Sequence, residues 1–258
     1  MFASDKVRTD LQDSVLAITL DHPKANAFNE EMVAGVQDAL KQAGRDSQVR
    51  AVLLTGTGRF FSTGRDLNDV RKDQEESFRL HLQQTFNPLI LQIRRLEKPV
   101  IAGINGTVAG AALGIALACD LRIASDQARF LVGFVGIGLG PDSGVSVLLP
   151  ALVGLGRATE MAYTNAPVSA QQALEWGMVN RLAPQDQLLE QARQWAAELA
   201  RGPIHAMGLA KRDFNKAVLG NLEQVLDYEA HIQEIAGRGA DYKEGVQAFL
   251  EKRQPNFI

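Results

Sequence analysis

The sequence predicts an α/β fold that ends in a helical C-terminal third, and three observations carry that prediction. Short apolar runs rich in β-branched residues alternate with amphipathic segments through the first half. Two of those runs lead directly into glycine-containing turns followed by helical sequence. From about residue 186 onward the apolar spacing is helical almost to the end.

Taken in order, residues 15–20 form an apolar strand that stops at Asp21-His22-Pro23, a turn signal. Asn29 then precedes Glu30 and Glu31, with Met32, Val33, Val36 and Leu40 at helical spacing. This is an N-cap with acids in the first turn, where they meet the positive end of the helix dipole. Residues 50–55 read as a buried strand, residues 75–96 as helix interrupted near Pro88, and residues 99–104 as another strand. Residues 111–118 suit a buried helix of small side chains, with a strand over 121–124. After Pro150 the pattern changes. A capping box at Ser169 and Gln172 is followed by helical periodicity over 186–200, 204–217, 222–236 and 241–252.

Composition narrows the function. The chain has 258 residues and a net charge of −3, with no dominant basic block, which argues against nucleic acid as the main partner. One cysteine, Cys119, excludes a disulfide framework and fits a reducing compartment. The four histidines lie far apart, so no metal site is expected. Residues 1–20 lack the charged and apolar regions of an export signal, and no apolar span reaches membrane length. A cytoplasmic protein without membrane attachment is the expectation.

No G-x-G-x-x-G follows a strand, no G-x-x-x-x-G-K-[ST] occurs, and Ser143 lacks the G-x-S-x-G setting of a nucleophile elbow. Two strand–turn–helix units remain, AVLLTGTGRFFSTGRDL and PVIAGINGTVAGAALGIALACD. N–H groups at such turns and helix starts can stabilise a developing oxyanion, but most glycine-rich turns are simply turns.

Together these units resemble the enoyl-CoA hydratase/isomerase (crotonase) family. HPKANAFNEEM, ACDLRIAS, PVSAQQALEWGMVN and EGVQAFLEKRQPNF fit that family's pattern in the same order along the chain. The resemblance implies a spiral of ββα units over residues 1–200 and a helical trimerisation region over 201–258, assembling as a homotrimer or a dimer of trimers. It implies an acyl-CoA substrate, with coenzyme A part of that substrate and no separate cofactor. The backbone N–H groups of Arg65 and Ala111 would form the oxyanion hole. Contacts to the CoA thioester would come from Lys24, Ala25 and Ala27, from Ser62, Thr63, Gly64, Asp66 and Leu67, and from Gly106 and Gly110. Phe249 and Lys252 would reach the CoA of a neighbouring subunit, although an apolar residue and a lysine near a helix end also suit packing and solvation.

The chain departs from the hydratases of the family at two positions. Gly114 and Phe134 stand where those enzymes carry two catalytic glutamates. One carboxylate remains, Asp142 in GLGPDSG, at the position of the single acid in several isomerases and in the chlorobenzoyl-CoA dehalogenases. The surrounding run is similar to the ring-epoxide isomerases of phenylacetate breakdown. Apolar Phe134, Ile137 and Leu139 are expected to raise its pKa toward a range suited to proton transfer. From the residues alone, Asp142 following Pro141 and preceding an apolar-periodic stretch reads first as an N-cap, and the resemblance shifts it to the catalytic acid. Asp66 and Asp120 read as structural, and His81 as a packing residue. The expected reaction is movement of a double bond in an enoyl-CoA. Hydration, dehalogenation and a non-catalytic CoA-binding subunit are the alternatives.

Overall fold

The computed structural model describes residues 5–23, 25–66 and 77–257. A hairpin opens the first sheet: β1 (Val7–Gln12) and β2 (Val15–Leu20) pair antiparallel across Asp13 and Ser14. Both turn residues have positive φ, 50° and 61°, as a two-residue hairpin of this twist requires. β3 (Ala51–Gly56), β5 (Val100–Ile104), β7 (Leu121–Ser125) and β10 (Arg181–Ala183) extend this sheet in parallel, giving the order β1-β2-β3-β5-β7-β10. The central strands are apolar and buried throughout, the pattern of a sheet covered on both faces.

The second sheet is built from very short strands: β4 (Phe60–Ser62), β6 (Thr107–Ala109), β8 (Arg129–Leu131) and β9 (Val168–Ser169), in that spatial order. Each unit places one strand in the first sheet and the next in the second. The pairs β3–β4, β5–β6 and β7–β8 step across both sheets together, which is the ββα spiral.

The helices are α1 (Glu30–Arg45), α2 (Phe78–Gln84), α3 (Phe86–Arg95), α4 (Ala111–Ala118), α5 (Val145–Val153), α6 (Leu155–Thr164) and α7 (Ala170–Glu175), followed by α8 (Leu188–Ala200), α9 (Ile204–Val218), α10 (Leu222–Gly237) and α11 (Ala240–Glu251). The Asn29 cap forms, its Oδ1 accepting from Met32 N–H at 3.0 Å, and so does the Ser169–Gln172 capping box. α8 lies across the outer face of the first sheet, packing Ala192, Trp195 and Ala196 on Val15, Leu53 and Ile101. α4 is buried along its whole length, as its uniformly apolar sequence requires. Among the described residues no helix is long and apolar enough to cross a membrane.

The helical stretch expected over 75–96 breaks at Thr85, not at Pro88. Pro88 is the third residue of α3, where a missing N–H costs little because the first-turn N–H groups have no partner within the helix. Asp142 does not cap α5. The N-cap is Gly144, in a left-handed conformation without a side-chain hydrogen bond, and the Asp142 carboxylate is engaged elsewhere.

Asp120 is structural, but by joining distant elements. Its Oδ2 accepts from Val100 N–H at 2.9 Å and from the Lys211 ammonium at 2.8 Å, while Oδ1 accepts from Arg94 at 3.2 Å. This ties α9 and α3 to the start of β5. Asp120→Ala would strand two largely buried cations, so a loss of about 3 kcal/mol or more is expected in urea denaturation. A loss below about 1 kcal/mol would mean that water readily replaces the carboxylate.

Candidate active site

The two glycine turns meet side by side. Gly64 adopts φ 85°, and a Cβ on it would lie 2.9 Å from the Ala109 carbonyl oxygen and 3.2 Å from the Ala111 nitrogen. Only glycine permits both the conformation and the approach. Gly110 has φ 58° and is the N-cap of α4, which makes Ala111 the first helical residue, with no acceptor for its N–H inside the helix.

Across from Ala111, Phe28 bridges the segment around Arg65. Phe28 N–H donates to the Gly64 carbonyl at 2.7 Å, and Asp66 N–H donates to the Phe28 carbonyl at 2.9 Å. In such a bridge the middle residue turns its own N–H to the opposite side, so the N–H of Arg65 faces away from Phe28.

Two asparagines hold the loop leading into the first turn, a role that no local pattern signals. Asn26 donates to the carbonyls of Thr57 and Phe60, at 3.0 and 2.8 Å. Asn105 donates to those of Gly58 and Phe60, both at 3.0 Å.

A cavity of about 600 Å³ opens beside these turns. Of the residues singled out in the sequence, Ala25, Ala27, Thr63, Arg65, Asp66, Gly110, Ala111, Phe134, Asp142 and Phe249 line it. Ser62 stands behind the wall, fully buried, its hydroxyl accepting from Gly64 N–H at 3.2 Å. Gly106 is not in the wall either: it packs against the Arg59 carbonyl, which a Cβ would approach to 2.0 Å. Lys252 is the exposed C-cap of α11 and lies apart from the cavity, whereas Phe249 lines the cavity of its own chain. Lys24 and Leu67 fall outside the described residues.

The wall is mainly apolar and aromatic, with Phe78, Phe86, Phe134, Ile137, Leu139 and Tyr242 around Asp142. His81 is also in the wall, buried, its ring centroid 5.9 Å from that of Phe86. This agrees with its reading as a packing residue and adds that it faces the cavity. α11 closes one side by intimate backbone contact: a Cβ on Gly245 would meet Ile137 at 2.5 Å.

Asp142 sits on a turn that the sequence makes unusually tight. Pro141 precedes it, and Ser143 and Gly144 both take positive φ, 55° and 80°. A buried serine in the left-handed region is strained, and strain of this kind persists only where neighbouring packing fixes it. Here the neighbour is α4. Gly114 lies so near Ser143 that a Cβ would fall 2.2 Å from the Ser143 carbonyl oxygen.

The Asp142 carboxylate is held at both oxygens. Ser143 Oγ donates to Oδ1 at 2.7 Å, and Gln233 Nε2 donates to Oδ2 at 2.6 Å. Burial pushes the carboxyl up from 3.8 to about 6, against the opposing effect of those two donors and of the Arg65 charge.

A second buried acid, Glu229, lies behind this turn and was not anticipated. It accepts from Gly144 N–H at 2.8 Å, from Ser146 N–H at 3.0 Å and from Ser146 Oγ at 2.5 Å. Burial raises its carboxyl to about 7, with the charge on Asp142 adding to the rise. Glu229 and Gln233 are one turn apart on α10, on the stripe shared with Leu222, Leu226 and Ala230. A glutamate and a glutamine at apolar positions of a helical repeat were the available signal.

An α/β spiral of two sheets with paired glycine turns at an apolar cavity is the architecture of acyl-CoA-processing enzymes, and the comparisons agree. The chain belongs to the enoyl-CoA hydratase/isomerase (crotonase) family, whose sequence pattern matches residues 10–258. It is 40% identical over 255 residues to the 1,2-epoxyphenylacetyl-CoA isomerase of Escherichia coli, a match covering 97% of each chain. It is 33% identical over 247 residues to the 2,3-dehydroadipyl-CoA hydratase of the same organism, covering 95% of this chain and 96% of that one. A crystal structure of an enoyl-CoA hydratase from Mycobacterium avium subsp. paratuberculosis superposes with a TM-score of 0.88 at 34% identity, covering 98% of each chain.

Proposed function

We propose that this enzyme moves a double bond within an enoyl-CoA through a thioester enolate, with Asp142 as the proton shuttle. The observation that carries the reading is the setting of Asp142. It is a carboxylate in the wall of the apolar cavity that also holds Arg65 and Ala111, and burial places its pKa at about 6. The positions where hydratases keep their glutamates hold Gly114 and Phe134 instead, and neither can activate water.

In this mechanism the Asp142 carboxylate takes a proton from Cα of a β,γ-unsaturated thioester, or from Cγ in the reverse direction. The C–H electron pair moves into the conjugated system, and negative charge gathers on the thioester oxygen. The N–H groups of Arg65 and Ala111 stabilise that oxyanion, each donor of this kind being worth roughly 3–4 kcal/mol of barrier. Asp142 then returns the same proton to the other carbon, which restores the carboxylate and leaves the double bond shifted. The surrounding apolar wall suits an acyl group without charge. Coenzyme A enters as part of the substrate and would lie along Ala25, Ala27 and Thr63.

The same reading makes residues 1–200 the ββα spiral core and 201–258 the assembly region of a homotrimer or dimer of trimers, a region that also lends Tyr242 and Phe249 to the cavity wall. Exposed Phe214 and Val218 on α9, and Tyr228 and Ile235 on α10, support it as apolar surface suited to burial between subunits.

Incubation with β,γ- and α,β-enoyl-CoAs in deuterated water tests the reaction. A shifted double bond is the expected result, with deuterium at Cα or Cγ in those turnovers in which the Asp142 proton exchanges with solvent before its return. Accumulation of 3-hydroxyacyl-CoA as the main product would replace isomerisation with hydration.

A further inference from the structure

We propose that Gln233 is a positioning residue for Asp142, aiming its carboxylate at the cavity and supplying a partner to the acid in both protonation states. The proposal rests on Asp142 being the proton shuttle. Gln233 is fully buried, is not part of the cavity wall, and reaches the reaction only through Asp142. Its amide N–H, 2.6 Å from Oδ2, works with the Ser143 hydroxyl on Oδ1 to fix the plane of the carboxylate.

The other end of the amide is what singles Gln233 out. Its Oε1 is buried and has no hydrogen-bond partner among the described residues. A buried amide carbonyl left unsatisfied is unfavourable and calls for a cause. The proton cycle of Asp142 supplies one. The anion needs a donor, and Nε2 provides it. The protonated acid needs an acceptor, and a half-turn of the amide brings Oε1 to that place. A glutamine carries both groups at one position, which a lysine, a donor only, cannot match.

The helix that carries Gln233 is locked to the turn that carries Asp142. Glu229, four residues earlier on α10, binds the N–H groups of Gly144 and Ser146. On its other side α10 is tied to α2 and α3, with Asn87 donating to the Leu226 carbonyl at 3.1 Å and Ser77 to Glu234 at 2.8 Å. Among the described residues, the Arg65 cation favours the ionised form of Asp142, and the Glu229 carboxylate faces it as a like charge. Replacing Gln233 with an apolar residue of similar shape leaves those charges unchanged and removes only the hydrogen bond.

Gln233→Met and Gln233→Glu separate this role from mere packing. Activity is followed as a pH profile of kcat and KM on 3-hexenoyl-CoA. In parallel, the Asp142 carboxyl is titrated by infrared difference spectroscopy against Asp142→Asn, which needs no substrate. With Met, the ionisation of Asp142 should move up by about one unit, because the charge-assisted hydrogen bond lost by the anion is stronger than the neutral one lost by the acid. The plateau of kcat should fall about tenfold through lost orientation, with KM changed by less than about twofold. With Glu the ionisation should move further up, since a like charge now faces the acid. A packing role would lower the melting temperature of the variants without moving the titration. An infrared titration and acid limb unmoved in Gln233→Met would overturn the proposal alone. Wild-type turnover in Asp142→Asn would overturn the shuttle reading and the proposal with it.

Discussion

Asp142→Asn is expected to lower kcat by about 10³-fold, within the range for loss of a general acid–base group, while leaving CoA binding intact. The same substitution is expected to make the folded protein more stable at pH 8. The sign follows from the raised pKa. In the folded chain the carboxyl holds its proton until about pH 6, and unfolded it releases the proton near 3.8. The stabilisation due to this group is therefore complete below about pH 4 and is lost as the pH rises through about 6. Above that, ionised Asp142 weighs against folding by up to about 3 kcal/mol. Asparagine carries no such charge and escapes the loss. Thermal unfolding at pH 8 and at pH 4 measures it: the variant should melt several degrees above the natural chain at pH 8, and the gap should narrow at pH 4. Glu229 remains in both proteins, but part of its raised pKa comes from the charge on Asp142, so in the variant its carboxyl titrates lower and this adds to the gain at pH 8. A variant with unimpaired turnover would remove Asp142 from the chemistry. An equal gap at both pH values would show that the carboxyl is not perturbed by burial.

This opposition between activity and stability is what a buried functional carboxylate produces. It also explains why the turn around Asp142 is so heavily supported, by Ser143 at one oxygen, Gln233 at the other and Glu229 on the backbone behind. The Ser143 and Gln233 contacts each offset part of the cost of holding a charge in an apolar wall, while Glu229 fixes the backbone of the turn.

The part of this design that local sequence carries is the part built from long, regular elements. β3 and β5 open as continuous apolar runs, α4 follows its glycine turn, and α8 to α11 keep a clear helical repeat. The second sheet was not legible. β4, β6, β8 and β9 have two or three residues each, too few for alternation to show, and they form by pairing with distant strands. α5 was hidden by Pro150, which lies inside the helix. At the site, the glycine turns and Asp142 stood out because φ and chemistry restrict those residue types. Glu229 and Gln233 did not, because their meaning comes from what faces them: the Gly144–Ser146 backbone and the acid, about ninety residues away in sequence.

Gly114→Ala is expected to impair the enzyme although Gly114 does not line the cavity. A single methyl at this position would fall 2.2 Å from the Ser143 carbonyl oxygen and 2.9 Å from the Ser143 Cβ. Neither is the far end of a flexible side chain, so the backbone of the 142–144 turn must retreat from α4. Overpacking of this kind costs about 1–3 kcal/mol in stability. The larger consequence is positional, since the retreat carries Asp142 with it. A displacement of about 1 Å at a reacting group lowers turnover by about 10²-fold. The loss should fall on kcat, with KM nearly unchanged, because the turns at Gly64 and Gly110 stay in place. Gly114→Glu, which restores the side chain found in hydratases at this position, should not create hydration. It demands still more room from the same backbone, and its partner position remains Phe134. Steady-state kinetics of both variants, with product identification, decides the matter: Gly114→Ala with the kcat of the natural chain, or Gly114→Glu releasing 3-hydroxyacyl-CoA, would each refute the argument. At this position the missing hydratase glutamate and the tight seat of Asp142 are one feature, because the glycine that cannot supply a carboxylate is the one that lets the Asp142 turn approach α4.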